Sequence, residues 1–85
     1  MKLRITTLVI IENNQVENIF HSLNDNQDKA YQELIDQVNA THGDGGVLHF
    51  KTMKGIKNYF DSVTIETQEL TPSGFKTTIL NRETK

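Results

Sequence analysis

Three histidines, His21, His42 and His49, together with dispersed carboxylates, are the side chains of this 85-residue chain best suited to acid/base or metal chemistry. Cysteine is absent, which removes thiol nucleophiles, thiolate ligands and disulfides. His42, Asp44 and His49 span a glycine-rich stretch and offer imidazole and carboxylate donors of the kind zinc accepts. A zinc site, however, needs three or four ligands held by supporting hydrogen bonds, and each of these residues has a simpler role. His42 falls at the end of a helical pattern, where its side chain complements the helix dipole, and His49 falls in a strand-like run. The sequence therefore predicts no metal and no cofactor.

Two further motifs are eliminated by their own chemistry. Asn24-Asp25-Asn26-Gln27-Asp28 looks like the opening of a calcium loop, but counted from Asn24 the obligatory glycine position is Lys29 and the bidentate glutamate position is Ile35. Helix capping explains the run better. His42-Gly43-Asp44-Gly45-Gly46 has the composition of a phosphate-binding loop, yet it follows a helix and leads into a strand, whereas a phosphate cradle needs the amides of a helix N-terminus after a strand. Its own Asp44 would repel an anion.

No serine sits in a Gly-x-Ser-x-Gly elbow, and no pair of carboxylates lies in an apolar setting that would separate their pKa values. Glu33 with Asp36, and Glu66 with Glu69, read as solvated faces of a helix and a strand. The expectation is a noncatalytic protein. A small metal-dependent enzyme is the third-ranked alternative, conditional on His42, Asp44 and His49 converging in space.

A different chemistry is offered by Lys51, Lys54, Lys57 and Tyr59, followed by Phe60: cations that could contact phosphates, beside rings that could stack on an unpaired base. Against it, Met53, Ile56 and Phe60 can anchor the same segment to a core while the lysines remain solvated. A nucleic-acid domain also normally carries a stronger basic excess than a net charge of −2 allows. The first 50 residues are acidic and residues 51–85 mildly basic. A nucleic-acid-associated regulator is thus the runner-up.

The elements that would position these groups follow from periodicity. Leu3, Ile5, Thr7, Val9 and Ile11 alternate with Arg4, Thr6, Leu8, Ile10 and Glu12, so a first strand is apolar on both faces through Leu8-Val9-Ile10-Ile11. Asn13-Asn14-Gln15 forms a turn, and a second strand runs from Val16 to Ser22. A helix follows, capped by Asn24 or Asp25, with apolar residues at Ala30, Tyr31, Leu34, Ile35 and Val38. Gly43 provides a left-handed stop. Val47–Lys51 reads as a third strand, and Met53, Ile56 and Phe60 fit a short helix that Gly55 weakens, so a loop with one turn competes. Val63, Ile65 and Thr67 mark a fourth strand. Thr71-Pro72-Ser73-Gly74 marks a turn, and Phe75, Thr77 and Ile79 a fifth strand.

These elements predict one domain over residues 1–85, a two-layer α+β fold of order ββαβββ with a mainly antiparallel sheet and one long helix on one face. A short helix near 53–60 is the open element. One helix cannot cover an apolar surplus on both sheet faces. The leading functional expectation is accordingly a noncatalytic protein-interaction module, a homodimer formed through a sheet face or a strand edge. Leu3, Ile5, Val9 and Ile11 are expected under the helix, which leaves Leu8, Ile10 and Ile19 as interface residues unless the register reverses these roles. No leader or bilayer-length apolar stretch is evident, and the expected location is the cytoplasm.

Overall fold

The computed structural model describes residues 3–43, 48–71 and 76–84. It is a two-layer α+β fold: a four-stranded antiparallel sheet carries two helices on one face. The strands are β1 (Leu3–Glu12), β2 (Gln15–Ser22), β3 (Ser62–Thr71) and β4 (Lys76–Thr84), and the helices are α1 (Gln27–His42) and α2 (Met53–Tyr59). The sheet order is β2-β1-β3-β4, so β1 is central and the two hairpins meet along β1 and β3.

The first hairpin closes as its sequence demands. Asn13 and Asn14 both have positive φ, 53° and 62°, the pair of conformations that matches a two-residue turn to the twist of the flanking strands. α1 begins at Asn26, not at Asn24 or Asp25: the Asn26 side-chain oxygen accepts from the Lys29 amide at 3.0 Å. Asn24 serves one step earlier, its side-chain oxygen accepting from the Asn26 amide at 3.0 Å to shape the approach. Asp28 lies in the first turn as predicted, next to the positive end of the helix.

Gly43 ends α1 without the left-handed conformation expected of it, at φ −84°. Glycine is required there for space. A Cβ would run into the Asn39 carbonyl oxygen and come within 2.8 Å of the Leu48 carbonyl oxygen. Asp44, the connecting glycines, Val47 and the Pro72-Ser73-Gly74-Phe75 segment lie outside the described residues.

The expected third strand is absent from the described part of its range, because residues 48–51 join no ladder. The polar groups that a ladder would have satisfied are met by a side chain instead. The Phe50 amide donates to Asn39 Oδ1 at 2.7 Å, and Asn39 Nδ2 donates to the Phe50 carbonyl at 2.9 Å. This two-way clasp drives the Phe50 ring into the core and leads directly into α2. The short helix does form: Thr52 caps it, with Oγ1 accepting from the Gly55 amide at 3.1 Å, and Met53 and Ile56 are buried with Phe60 at helical spacing.

The core lies between the helices and one sheet face. It joins Leu8 and Ile10 of β1, Val63 and Ile65 of β3, Leu34, Ile35 and Val38 of α1, Met53 and Ile56 of α2, and the rings of Phe50 and Phe60. Thr6 and Thr67, buried at its margin, place their hydroxyl oxygens 3.3 Å apart, so neither is left without a partner.

Candidate interaction surface

The strand pairing decides which set of β1 side chains enters that core. Leu8 stands opposite Ile65 and Ile10 opposite Val63. The alternate set of β3, Thr64, Glu66 and Gln68, is polar, and in the opposite arrangement it would have to be buried under the helices. The register therefore sends Leu8 and Ile10 inward, both at 0% exposure. This reverses the roles assigned from β1 alone: Leu8 and Ile10 are core residues, and Leu3, Ile5, Val9 and Ile11 occupy the face turned away from the helices. Ile19, the third interface candidate, sits on that outer face opposite Val9 and is 54% exposed.

The outer face has a defined map. Across the sheet, Leu3 neighbours Leu70, Ile5 neighbours Gln68, and Gln68 neighbours Ile79. At its middle runs a polar row, His21–Thr7–Glu66–Arg82. Thr7 Oγ1 lies 3.2 Å from His21 Nδ1, and Arg82 Nε donates to Glu66 at 2.6 Å. Gln68 also donates to Glu66, and these donors hold the Glu66 carboxyl below its ordinary range, Gln68 first and Arg82 second. Beyond that row Ile19 faces Val9, and Val16 faces Ile11. The β1–β2 half of the face is consequently aliphatic, while the β3–β4 half is mostly hydroxyl, amide and ion pair.

Both β-bulges lie on the outer strands. Between Ile10 and Ile11 the partner on β2 jumps from Asn18 to Val16, leaving Glu17 as the extra residue. Between Thr67 and Gln68 the partner on β4 jumps from Asn81 to Ile79, leaving Leu80. A bulge bends an edge strand and interrupts the row of groups that another strand would need for pairing.

The helical layer is fastened by polar contacts that single-strand periodicity does not reveal. Glu33 accepts from Ser22 Oγ at 2.8 Å and from Asn24 Nδ2 at 2.9 Å, and these bonds, Asn24 foremost, lower its carboxyl pKa. Gln37 Nε2 donates to the His21 carbonyl at 2.9 Å. His42 Nε2 is 2.6 Å from Asn18 Oδ1, and its ring meets Phe60 edge-on with centroids 5.1 Å apart. His42 thus acts as a packing residue between α1, β2 and the core. His49 is exposed and belongs to no strand, so strand packing does not account for it. Among the described residues no group of three or more His, Asp or Glu side chains gathers as a metal site would require.

The basic segment divides. Lys51 and Lys54 stand exposed, but Lys57 Nζ donates to Glu83 at 2.9 Å, in a cluster where Tyr31 also donates to Glu83 at 3.2 Å. The hydrogen bond from Lys57 is the chief cause of a lowered Glu83 pKa, and burial raises that of Tyr31. The Tyr59 ring, although exposed, packs edge-on against Phe50 and Phe60 at 5.5 and 4.9 Å. One cation and one ring of the candidate nucleic-acid surface are thus engaged within the molecule.

One acidic couple escaped sequence reasoning because its members are far apart along the chain. The Asn13 amide donates to Asp61 Oδ2 at 3.0 Å, and the Asp61 amide donates to Glu12 Oε2 at 3.4 Å. The Asn13 bond chiefly lowers the Asp61 pKa, whereas desolvation first and Asp61 second raise that of Glu12. Two carboxyls with opposed shifts can divide acid and base roles in an enclosed site. Here the couple is exposed and ties the first turn to the α2–β3 junction.

No described helix is long and apolar enough to cross a membrane. No family model, curated protein or solved structure matches this chain.

Proposed function

We propose that this chain is a noncatalytic protein-interaction module that forms a homodimer through the sheet face turned away from its helices. The observation that carries the reading is the aliphatic strip on that face: half-buried Ile5, Val9 and Ile11 along β1, flanked by exposed Leu3 of β1 and exposed Val16 and Ile19 of β2. Contiguous apolar surface of this kind is unusual on a monomer and is the ordinary signature of an interaction site. Single exposed aliphatic side chains need no explanation; three exposed and three half-buried ones gathered on one face of two adjacent strands do.

The size is adequate. Strands of this length in a four-stranded sheet give a face of about 30 Å by 17 Å, hence on the order of 1,000 Å² buried between two copies, the lower limit of a specific interface. The sheet-face route is favoured over the strand-edge route by the bulges on both edge strands, which oppose continuous pairing with another chain.

Sedimentation velocity at micromolar concentration tests the reading. The expected result is a dimer for the native chain and a folded monomer for Ile19→Asp, since a carboxylate at an apolar interface loses its water without gaining a partner. A native chain that sediments only as a folded monomer overturns the proposal.

A further inference from the structure

The two edge strands of the sheet are held by different means. β2 is fastened to α1. Its Phe20 ring packs against the core and Ser22 is buried. Ser22 Oγ donates to Glu33 at 2.8 Å, Gln37 Nε2 donates to the His21 carbonyl at 2.9 Å, and His42 Nε2 lies 2.6 Å from Asn18 Oδ1. β4 has no such cover. From Thr77 to Thr84 no side chain is buried: Asn81 and Glu83 are half-buried and the others are exposed. The core draws on β1, β3, both helices and the rings of Phe50 and Phe60, with no member from the described part of β4.

Neither helix runs alongside β4. Lys57 Nζ at 2.9 Å and the Tyr31 hydroxyl at 3.2 Å reach across to it, and both donate to the same Glu83 carboxylate. On the other face Arg82 pairs with Glu66 of β3. Ion pairs open to solvent hold weakly, because water competes for both charges and two long side chains must be ordered to make them. The β3–β4 ladder supplies the rest of the attachment, and the extra residue Leu80 interrupts it between Ile79 and Asn81.

Parting β4 from β3 wets little new apolar surface, since Ile79 and Leu80 are already 51% and 45% exposed. It leaves Leu8 paired with Ile65 and Ile10 with Val63 beneath the helices. Parting β2 from β1, in contrast, pulls Phe20 and Ser22 away from α1 and the core. The cost of a local opening follows the buried contacts and bonds it breaks, so the two edges differ in how readily they open.

We infer that β4 is a strap that opens as a unit while β2, β1, β3 and both helices stay folded, baring the β3 backbone from Thr64 to Thr71. β3 keeps an unshifted register with β1 from Ser62 to Leu70, so its bared edge is a regular row of amide and carbonyl groups. The molecule thus has one fixed edge and one releasable edge. This device stands apart from the self-association reading, whose aliphatic strip lies on β1 and β2.

Native-state hydrogen exchange of the full chain, followed residue by residue by NMR in denaturant below the unfolding transition, tests the strap. After correction for intrinsic rates, the bonded amides of β4 and the β3 amides directed at it should exchange at least about 100-fold faster than those of the β1–β3 and β1–β2 ladders. They should share one opening constant with little dependence on denaturant, because that dependence scales with the surface exposed. Equal protection of β4 and β1, or β4 rates graded inward from Thr84 as fraying would give, overturns the proposal.

Two variants separate local from global opening. Asn39→Ala loses the Phe50 clasp in the folded molecule whether or not β4 is docked, so it should speed exchange of the β1 amides about tenfold and leave that of β4 unchanged. Glu83→Gln weakens the docked state alone and should speed both sets by the same factor. Acceleration of β4 by Asn39→Ala would show that β4 opens only with the whole domain, and acceleration of β1 without β4 by Glu83→Gln would show that Glu83 stays bound when β4 exchanges. Either result refutes the strap.

Discussion

Val9 and Ile10 are adjacent, aliphatic and part of the same strand, yet they belong to different regions of the molecule. Ile10 lies in a closed core between the sheet and two helices, where every neighbour is supplied by this chain. Val9 lies on the opposite face among Ile19, Thr7 and Ile11, and among the described residues no helix packs over that face. The two faces also differ in what surrounds their apolar groups. The helical side has a polar fringe of specific hydrogen bonds, from Glu33, Gln37, Asn39 and His42, that fixes the cover in place. The outer side has one polar row across its middle. A finished core excludes water with its own chain; in the proposed dimer a second copy would do so for the outer strip.

The largest effect separates the faces at one residue step. Ile10→Asp should abolish cooperative unfolding, since a carboxylate without a partner in the core costs more than the few kcal/mol, about 5 to 10, by which a domain of this size is stable. Val9→Asp should leave the circular dichroism spectrum native while the molecule sediments as a monomer. Equal unfolding by both variants would erase the distinction.

Asn39→Ala attacks the helical cover instead of the core. It leaves the Phe50 amide and carbonyl without their side-chain partner, and a loss of about 1 to 3 kcal/mol in denaturant unfolding is expected. The outer face is untouched, so dimer affinity measured under native conditions should hold.

Acid provides a smaller and graded test. Glu33 is held below its ordinary pKa in the folded protein by Asn24 and Ser22, so the folded state binds fewer protons there than the unfolded state. Its stabilising contribution is complete above the unfolded carboxyl range and is lost as pH falls through the folded value. Glu66 and Glu83 act in the same direction, whereas the raised Glu12 acts in the opposite one. Glu33→Gln should flatten the decline of melting temperature with acidification. An unchanged slope would show that the Ser22–Glu33–Asn24 clasp does not persist in solution.

The smallest predicted effect is a gain. A Cβ on Gly55 would sit 3.5 Å from Thr52 Oγ1 and 3.7 Å from Phe50 Cδ1, which is ordinary contact. Gly55→Ala should therefore stabilise α2 by about 0.5 to 1 kcal/mol through helix propensity, read as a higher melting temperature with unaltered self-association. A lower melting temperature would mean that the space over α2 is tighter than its contacts indicate.

Local chemistry was legible wherever neighbours along the chain decide the outcome. Paired asparagines marked the first turn, and apolar residues three and four apart located α1. The fourth and fifth strands were also placed, because their alternation is local. The failures share a different cause. Val47–Lys51 has a strand's composition, but Asn39 of α1 satisfies the Phe50 backbone from eleven residues away in place of a neighbouring strand. Gly43 was read as a conformational stop, whereas its role is to let two carbonyl oxygens approach, one of them beyond the loop.

For the candidate surface, the sequence by itself determined that β1 is aliphatic on both faces and that one long helix cannot cover both. Only the tertiary structure decided which face is covered. Alternation within β1 by itself favours the other face, with Leu3, Ile5, Val9 and Ile11 on one side against Leu8 and Ile10 on the other, so the strand alone points the wrong way. The deciding preference comes from β3, more than fifty residues away, where Val63 and Ile65 alternate with Thr64 and Glu66. Pairing the aliphatic set of β3 with Leu8 and Ile10 buries no unpaired polar group, and the alternative buries several. That difference turns the rest of β1 outward.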